Sequence, residues 1–129
     1  MKTTLKAICD SAFYTQDSKK LNIIGIFERI VLKDFPAVHP QLSAVFSFEG
    51  EPGEGGEYYF DITDSQGVKI ADTSDKSQKF LLGVNGRLNL IINLSFIKFS
   101  HSGVYKFNLY NKVSNVKEQL EFEVLELGK

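Results

Sequence analysis

The stretch HSGVYKFNLY, residues 101–110, decides the fold that we predict for this chain. It opens with a polar turn, after which Tyr105, Phe107 and Leu109 alternate with polar residues. Alternation with a period of two places successive side chains on opposite faces of a β-strand. The stretch therefore predicts a strand that turns one apolar face towards a core.

The same period recurs along most of the chain. It is found in Leu42–Phe48, Tyr58–Ile62, Leu88–Phe96 and Leu120–Val124. Near the front, TTLKAICDSAFY indicates a strand whose pattern is lost at Asp10. About eight short strands, frequent turn signals and no convincing amphipathic helix predict an all-β fold, an antiparallel sandwich that forms a single domain over residues 1–129.

Turn residues and alternation predict two hairpins and one further turn. Asn85-Gly86 suits a type I′ turn, because both residues tolerate positive φ, so KFLLGV and RLNLIINL are expected to pair. DSQG at residues 64–67 has the Asp-first, Gly-last pattern of a β-turn. The two alternating segments at the end of the chain form the last predicted hairpin.

The segment LNIIGIFERIVL, residues 21–32, has apolar residues at both its odd and its even positions, so both faces of a strand there would be apolar. Ile26, Phe27, Ile30 and Val31 also fit a helical spacing, but glycine and the β-branched isoleucines favour a strand. We predict one long strand that ends at DFPAVHP, whose prolines argue against a central strand.

The opening stretch resembles the entry to the penultimate strand of immunoglobulin-like sandwiches. In that family a polar residue is followed by Gly, Tyr and Cys at alternate positions, and the tyrosine hydroxyl binds the backbone of the corner. Gly103 and Tyr105 match, Phe107 stands at the cysteine position, and His101 stands where an acidic residue is usual. The family's core tryptophan is absent from this sequence. The resemblance implies an immunoglobulin-like β-sandwich with a structural corner at Gly103, Tyr105 and Phe107.

A second resemblance covers the first half of the chain. CDSAFYTQDSKKLNIIGIFERI, followed by FPAVHPQLSAVFSFEG, is similar to a family of small prokaryotic proteins known only as a domain of unknown function. That family has no assigned activity and no catalytic residues. The resemblance therefore implies a family and carries no site onto positions of this chain.

Charge and cysteine content exclude several classes of protein. The formal net charge is -1, with 15 basic and 16 acidic residues, so the basic patch of a nucleic-acid-binding protein is missing. No apolar run approaches the roughly 18 residues of a membrane span, and Lys6 interrupts the short apolar segment of MKTTLKAIC, which argues against a signal peptide. A single cysteine, Cys9, forms no internal disulfide and favours the cytoplasm.

The sequence offers little for catalysis or metal binding. Cys9 lies far in sequence from His39 and His101, the two histidines, and one cysteine with two distant histidines has no zinc spacing. The acidic loop at residues 49–57, with Asp61 and Asp64, is a weak candidate for calcium. We expect no cofactor, no metal and no enzymatic activity.

The two-faced apolar segment leads to a hypothesis of protein binding. Paired with the strand that carries Ile91, its Ile24 and Ile26 would form an outward apolar patch, and such patches mark protein contacts. The patch predicts a homodimer or another protein partner, unless residues 64–78 fold over it. Two alternatives remain open. One is a small-ligand binder or enzyme with a loop-end pocket, and the other is a structural component of a phage or mobile element. Residues expected to line such a pocket are Tyr14, His39, Tyr58 and His101.

Overall fold

The computed structural model describes residues 1–113 and 116–128, and this part of the chain folds into ten strands rather than about eight. The strands are β1 (Lys2–Tyr14), β2 (Leu21–Ile26), β3 (Arg29–Leu32), β4 (Ala37–Glu49), β5 (Gly55–Thr63), β6 (Lys69–Asp72), β7 (Gln78–Leu81), β8 (Arg87–Phe99), β9 (Gly103–Asn111) and β10 (Val116–Glu126). The all-β prediction is confirmed. Nothing among the described residues is a helix long and apolar enough to cross a bilayer.

The strands form two sheets. Sheet A is antiparallel and has the order β2-β1-β4-β8. Sheet B has the order β3-β10-β9-β5-β6, with β7 also paired to β5. It is mixed, because β3 runs parallel to β10 while the other pairs are antiparallel.

The apolar faces of the two sheets meet in one core. Phe46 of sheet A lies 6.0 Å from Phe107 of sheet B between ring centroids, and Phe107 stacks on Phe60 at 5.0 Å. Phe46, Phe107 and the neighbouring Tyr105 are fully buried. Burying each such ring removes a large apolar area from water, which stabilises the fold by roughly 1.5–3 kcal/mol per side chain.

The predicted long strand at residues 21–32 is wrong. The chain leaves sheet A after β2 and enters sheet B at β3. Between them Phe27 turns inward and packs edge-on against Phe122, with centroids 6.0 Å apart. Phe27, Ile30 and Leu32 belong to the core between the sheets, whereas Leu21 and Ile23 pack in a second cluster with Cys9 and Val45.

The predicted hairpin around Asn85-Gly86 is also wrong, although its turn exists. Gly86 has φ +73°, and the Gly83 amide donates to the Arg87 carbonyl at 3.0 Å. However, β7 pairs with β5 in sheet B, whereas β8 pairs with β4 in sheet A. The buried Leu82 lies at this change of sheet, so the turn joins the two sheets rather than two neighbouring strands.

Strand β4 begins earlier than the prolines suggested. It includes Pro40 and lies centrally, between β1 and β8. Pairing with β1 begins only at Ser43, however, so at Pro40 the strand has β8 as its one neighbour. The missing proline N–H therefore breaks no bond to β1, and the restriction on central strands does not apply at this end.

Strands β1 and β2 form a ribbon that bends at Asp10 and Gly25. Gly25 has φ +70°, and the Asp10 carboxyl lies directly over it, so a Cβ there would be only 2.3 Å from an oxygen. Beyond the bend, which is where the sequence pattern of β1 is lost, the cover ribbon (residues 11–14 and 21–24) lies over the outer face of sheet A. Its tip is held by the Tyr14 hydroxyl, which donates to the Asn89 carbonyl at 3.1 Å.

A small second core lies under the cover ribbon. Cys9, Ala12 and Val45 are buried there, and Leu21, Ile23 and Ile91 pack against them. Val45 and Ile91 alternate with residues of the main core, so they point away from sheet B. The outer face of sheet A is therefore covered by the chain itself, through this ribbon and not through residues 64–78.

Candidate functional site

The structure places Gly103, Tyr105 and Phe107 at the start of β9. The buried Tyr105 hydroxyl donates to the His101 carbonyl at 2.6 Å. Gly103 has φ +142°, a conformation that favours glycine. Phe107 sits in the main core between the two sheets. The three residues thus bind the corner to its own backbone and anchor it in the core.

His101 connects this corner to the turn at residues 64–67. Its Nε2 lies 3.2 Å from an oxygen of Asp64, whose other oxygen accepts from the Gln66 and Val68 amides. These amide donors, together with His101, hold the pKa of Asp64 below its ordinary value. The Ser102 carbonyl and the Asp64 carboxylate raise the pKa of His101.

His101, His39 and the Cys9 thiol lie in different parts of the fold and have different contacts. Both ring nitrogens of His101 are engaged, Nδ1 with the Ser102 carbonyl and Nε2 with Asp64. Burial raises the pKa of the Cys9 thiol, which lies under the cover ribbon 3.5 Å from the Ser43 carbonyl. His39 lies near the start of β4. Both His101 nitrogens thus have other partners, and the Cys9 thiol lies against backbone carbonyls.

The acidic residues considered for calcium bind different partners. Glu57 accepts from Ser77 and lies 3.7 Å from the Lys112 ammonium. Asp61 is buried and accepts from the Asn108 amide at 2.7 Å. The Asp64 carboxylate accepts from the Gln66 and Val68 amides of its own turn. Within the described ranges no group of three or more His, Cys, Asp and Glu is placed to hold a metal ion.

The predicted interface residues do not form one patch, and this corrects the pairing on which the patch rested. Ile24 and Ile26 lie on β2 and are 52% and 66% exposed, whereas Ile91 lies on β8. β2 pairs with β1, and β8 with β4, so the residues stand at opposite edges of sheet A. Ile91 is also partly covered by Ile23 and Leu21 of the ribbon.

The β8 edge is the longer of the two edges of sheet A. β8 has 13 residues and pairs only with β4 among the strands described, whereas β2 has six residues and the bend at Gly25. Between Arg87 and Lys98, β8 contains neither a charge nor a proline. Long uncharged edges present unpaired backbone groups to other strands. On this edge the Asn89 carbonyl already accepts from the Tyr14 hydroxyl, so pairing there requires that hydroxyl to be released.

The sequence of β8 is symmetric about Ile91. Leu88–Leu94 reads LNLIINL. Ile91 is flanked by Leu90 and Ile92, then by two asparagines, and then by two leucines. The side chains of Asn89 and Asn93 face outward, where each accepts a hydrogen bond from a serine of β4. The prediction from the sequence used Ile91 but overlooked this symmetry, although it is visible in the sequence.

Phe96 marks the far end of the β8 edge. It has φ +55° and is 76% exposed. Positive φ is rare for a bulky side chain and costs on the order of 1–3 kcal/mol. Here it shifts the alternation by one residue, so that Leu94 and Ile97 both reach the core while the ring is presented to solvent.

The four residues expected to line a loop-end pocket are dispersed. Tyr14 lies at the ribbon tip, where it lines an open cavity with Asn89. His39 lies on β4 and His101 at the corner, whereas Tyr58 lines a cavity between the sheets. This cavity has a volume of about 250 Å³ and lies where β1 and the end of β4 face sheet B. Phe48, Phe80 and Leu109 form its apolar walls.

Comparison with known proteins identifies a family but no activity. The model of a family described as "Family of unknown function (DUF6941)" matches residues 5–123. No curated protein matches the sequence.

Similarity to solved structures is weak. A β-glucosidase from Listeria innocua in complex with glucose is 8% identical, with a TM-score of 0.48, over 76% of this chain and 15% of that chain. An alkylpurine DNA glycosylase, AlkC, from Pseudomonas fluorescens, bound to DNA containing an abasic site analog, is 13% identical, with a TM-score of 0.44, over 93% of this chain and 30% of that chain. The chain thus spans less than a third of the length of either enzyme.

Proposed function

Because the chain belongs to this family of unknown function, whose description assigns no activity, we propose a function from the geometry: a non-catalytic assembly module that pairs with a second copy along the β8 edge. The observation that carries the proposal is the symmetric, uncharged edge strand LNLIINL. An antiparallel pair of strands related by a two-fold axis places each residue opposite one of the same parity. Symmetry about Ile91 therefore meets the requirement of a self-complementary edge.

The pairing centred on Ile91 matches like with like. Ile91 would face Ile91 of the second copy on the outer side, and Asn89 would face Asn93, where amides exchange hydrogen bonds. On the core side, Leu90 would face Ile92. No like charges are brought together in this register, since Arg87 would face Ser95. A strand-edge interface is small compared with the roughly 1,200–2,000 Å² of stable complexes, so we expect a dissociation constant in the micromolar range.

The remaining parts of the proposal rest on the corner and the thiol. We infer an immunoglobulin-like sandwich, which is supported by the Tyr105 hydroxyl at the His101 carbonyl and by the packing of two sheets on one core. A non-catalytic role is supported by the engagement of both His101 nitrogens and the burial of Cys9. A single buried thiol also suits the reducing cytoplasm.

The first test is the solution mass, measured by light scattering over a wide range of concentrations. We expect the mass to rise from 14.5 kDa towards twice that value with concentration. Ile24→Asp, on the β2 edge, is the matched control and should leave this rise unchanged. Asn89→Asp with Asn93→Asp should abolish the rise, because it places carboxylates opposite each other across the two-fold axis.

Cysteine cross-linking tests the register. In a Cys9→Ala background, Ile91→Cys should form a disulfide between copies, because opposite residues in an antiparallel pair have Cα atoms about 4.5–5.5 Å apart. Neither Asn89→Cys nor Asn93→Cys should cross-link alone, but a mixture of the two should. A folded protein that stays monomeric at every concentration, or one that cross-links equally at all three positions, refutes the proposal.

A further inference from the structure

The backbone of β8 turns the polar groups of alternate residues towards its free edge. Strand β4 pairs with β8 without a shift of register from Gln41 to Glu49. One residue further on, the Gly50 amide donates to the Gly86 carbonyl at 2.8 Å, so these two glycines form a hydrogen-bonded pair. Along an antiparallel ladder such pairs alternate with non-hydrogen-bonded ones.

This alternation assigns the polar groups in the middle of β8. Asn89, Ile91 and Asn93 lie in non-hydrogen-bonded pairs with β4. Their backbone amides and carbonyls therefore point away from β4, to the side on which sheet A ends. The proposed pairing of two copies uses these same three residues.

The Tyr14 hydroxyl occupies one of these edge groups. It donates to the Asn89 carbonyl at 3.1 Å. In the proposed register Asn89 lies opposite Asn93 of the second copy, and opposite residues whose polar groups face each other exchange both backbone hydrogen bonds. The Asn89 carbonyl would then accept from that Asn93 amide, so the tyrosine hydroxyl and the second strand compete for one oxygen.

The tip of the cover ribbon can move while the ribbon stays paired. The register of β1 with β4 ends at Cys9, and beyond the bend β1 and β2 pair with each other. The turn at the tip is closed by its own hydrogen bonds, since the Thr15 amide donates to the Lys20 carbonyl and the Lys20 amide to the Thr15 hydroxyl, each at 2.9 Å. Tyr14, next to this turn, is 45% exposed. Its release therefore breaks one exposed hydrogen bond and leaves the ribbon intact.

We propose that the contact of Tyr14 with Asn89 is autoinhibitory: while the hydroxyl caps this carbonyl, the β8 edge is closed to a second copy of the chain, and release of the ribbon tip opens it. This regulation rests on the proposed pairing of β8. A long uncharged edge is exposed to unselective addition of strands, so a contact that must first be released protects the monomer. In a two-fold dimer each copy releases its own Tyr14, so the contact opposes association twice.

The experiment compares the dimer dissociation constants of the native chain, Tyr14→Phe and Tyr58→Phe by light scattering. Tyr14→Phe removes the hydroxyl and keeps the ring. We expect it to lower the dissociation constant about fivefold, because one exposed hydrogen bond in each copy no longer has to be released. Tyr58→Phe is the matched control. It removes a hydroxyl that donates to Gln78 on sheet B at 3.0 Å, and it should leave the dissociation constant unchanged.

A second measurement needs no change in the edge contact. As the concentration of the native chain rises, the NMR signals of the Tyr14 ring should shift with the same midpoint as the mass, because dimer formation displaces the hydroxyl from Asn89. In the double variant Asn89→Asp with Asn93→Asp, which should stay monomeric, these signals should not depend on concentration.

The outcomes separate the contact from the pairing. If neither the native chain nor Tyr14→Phe dimerises, the pairing is refuted and autoinhibition with it. The pairing stands and autoinhibition is refuted if the native chain dimerises but Tyr14→Phe changes the dissociation constant no more than Tyr58→Phe does. The same holds if the Tyr14 signals stay fixed while the mass rises.

Discussion

The outer faces of the two sheets are covered in different ways. On sheet A, apolar residues that point away from the core are covered by the ribbon of β1 and β2, so that Val45 and Ile91 are packed against Ile23. On sheet B, polar residues fill the outward positions and satisfy one another. Gln119 donates to Asn108, Asn108 donates to Asp61, and Lys69 lies 3.7 Å from that carboxylate.

This difference shows that an outward position is not the same as an exposed one. Asp61 is only 1% exposed although it alternates with core residues of β5. Its burial is tolerated because its oxygens have partners, whereas an unpaired buried carboxylate would be very costly. Apolar contacts cover the outside of sheet A, whereas hydrogen bonds and an ion pair hold the network on sheet B.

The largest effect is expected from breaking the polar network. Asn108→Leu removes the amide that donates to Asp61 and should lower the free energy of unfolding by about 3 kcal/mol, because it leaves a buried carboxylate without that partner. Gln119→Leu, one step further from the carboxylate, should cost about 1 kcal/mol. Urea denaturation measures both values, and equal costs would contradict the network.

The covered face of sheet A should respond to the loss of apolar contacts beneath its ribbon. Ile23→Ala should lower the free energy of unfolding by about 1.5 kcal/mol, since Ile23 packs from the ribbon onto the second core. Ile24→Ala, on the adjacent exposed position, should change it by less than about 0.5 kcal/mol. Equal effects in the same denaturation experiment would mean that the ribbon does not cover this face.

Alkaline pH should titrate a tyrosine on the outer face of sheet B. Burial and the negative charge of Asp61 raise the pKa of Tyr110 to about 12, from an ordinary value of 10. Between these two values the unfolded chain releases the proton while the folded chain keeps it, so the contribution of Tyr110 to stability is present below pH 10 and is lost as the pH rises towards 12. Ultraviolet titration against Tyr110→Phe measures the pKa, and a value near 10 would contradict the partial burial of this ring beside Asp61.

The smallest effect is expected at the ribbon tip. Tyr14→Phe removes the hydrogen bond to the Asn89 carbonyl and should cost about 0.5 kcal/mol, because this group is exposed and water replaces the donor. Hydrogen exchange of the amides at residues 12–23 should become faster. An unchanged exchange rate would show that the tip is held by its apolar contacts alone.

Much of the sheet structure was predictable from the sequence because it depends on local alternation. The segments around Phe46, Phe60, Phe107 and Phe122 all lie in strands, and the Gly103 turn precedes β9 as the pattern indicates. The family was predictable from the first half of the chain. These features are properties of neighbouring residues and need no knowledge of what lies across the core.

Changes of sheet were not predictable, because they depend on partners distant in sequence. Asn85-Gly86 predicts a turn but does not specify which sheets the turn connects, and the apolar run around Phe27 does not reveal that the chain crosses the core there. The pairing of β2 with β1 and of β8 with β4 likewise places Ile24 and Ile91 at opposite edges of sheet A. For the candidate site, the symmetry of LNLIINL can be seen in the sequence. The position of β8 at the edge of its sheet depends on the tertiary structure and cannot.

The parallel pairing of β3 with β10 has a consequence for the order in which the protein can fold. Arg29 of β3 meets Glu123 of β10, about ninety residues later in the chain. A ribosome that adds about 5–20 residues per second needs roughly 5–20 s to make that interval. During this time β3 exists as a nascent segment without its partner, and its apolar side chains are available to a chaperone. Sheet B is therefore completed late, when β10 has been synthesised, whereas the ribbon of β1 and β2 can form near the beginning.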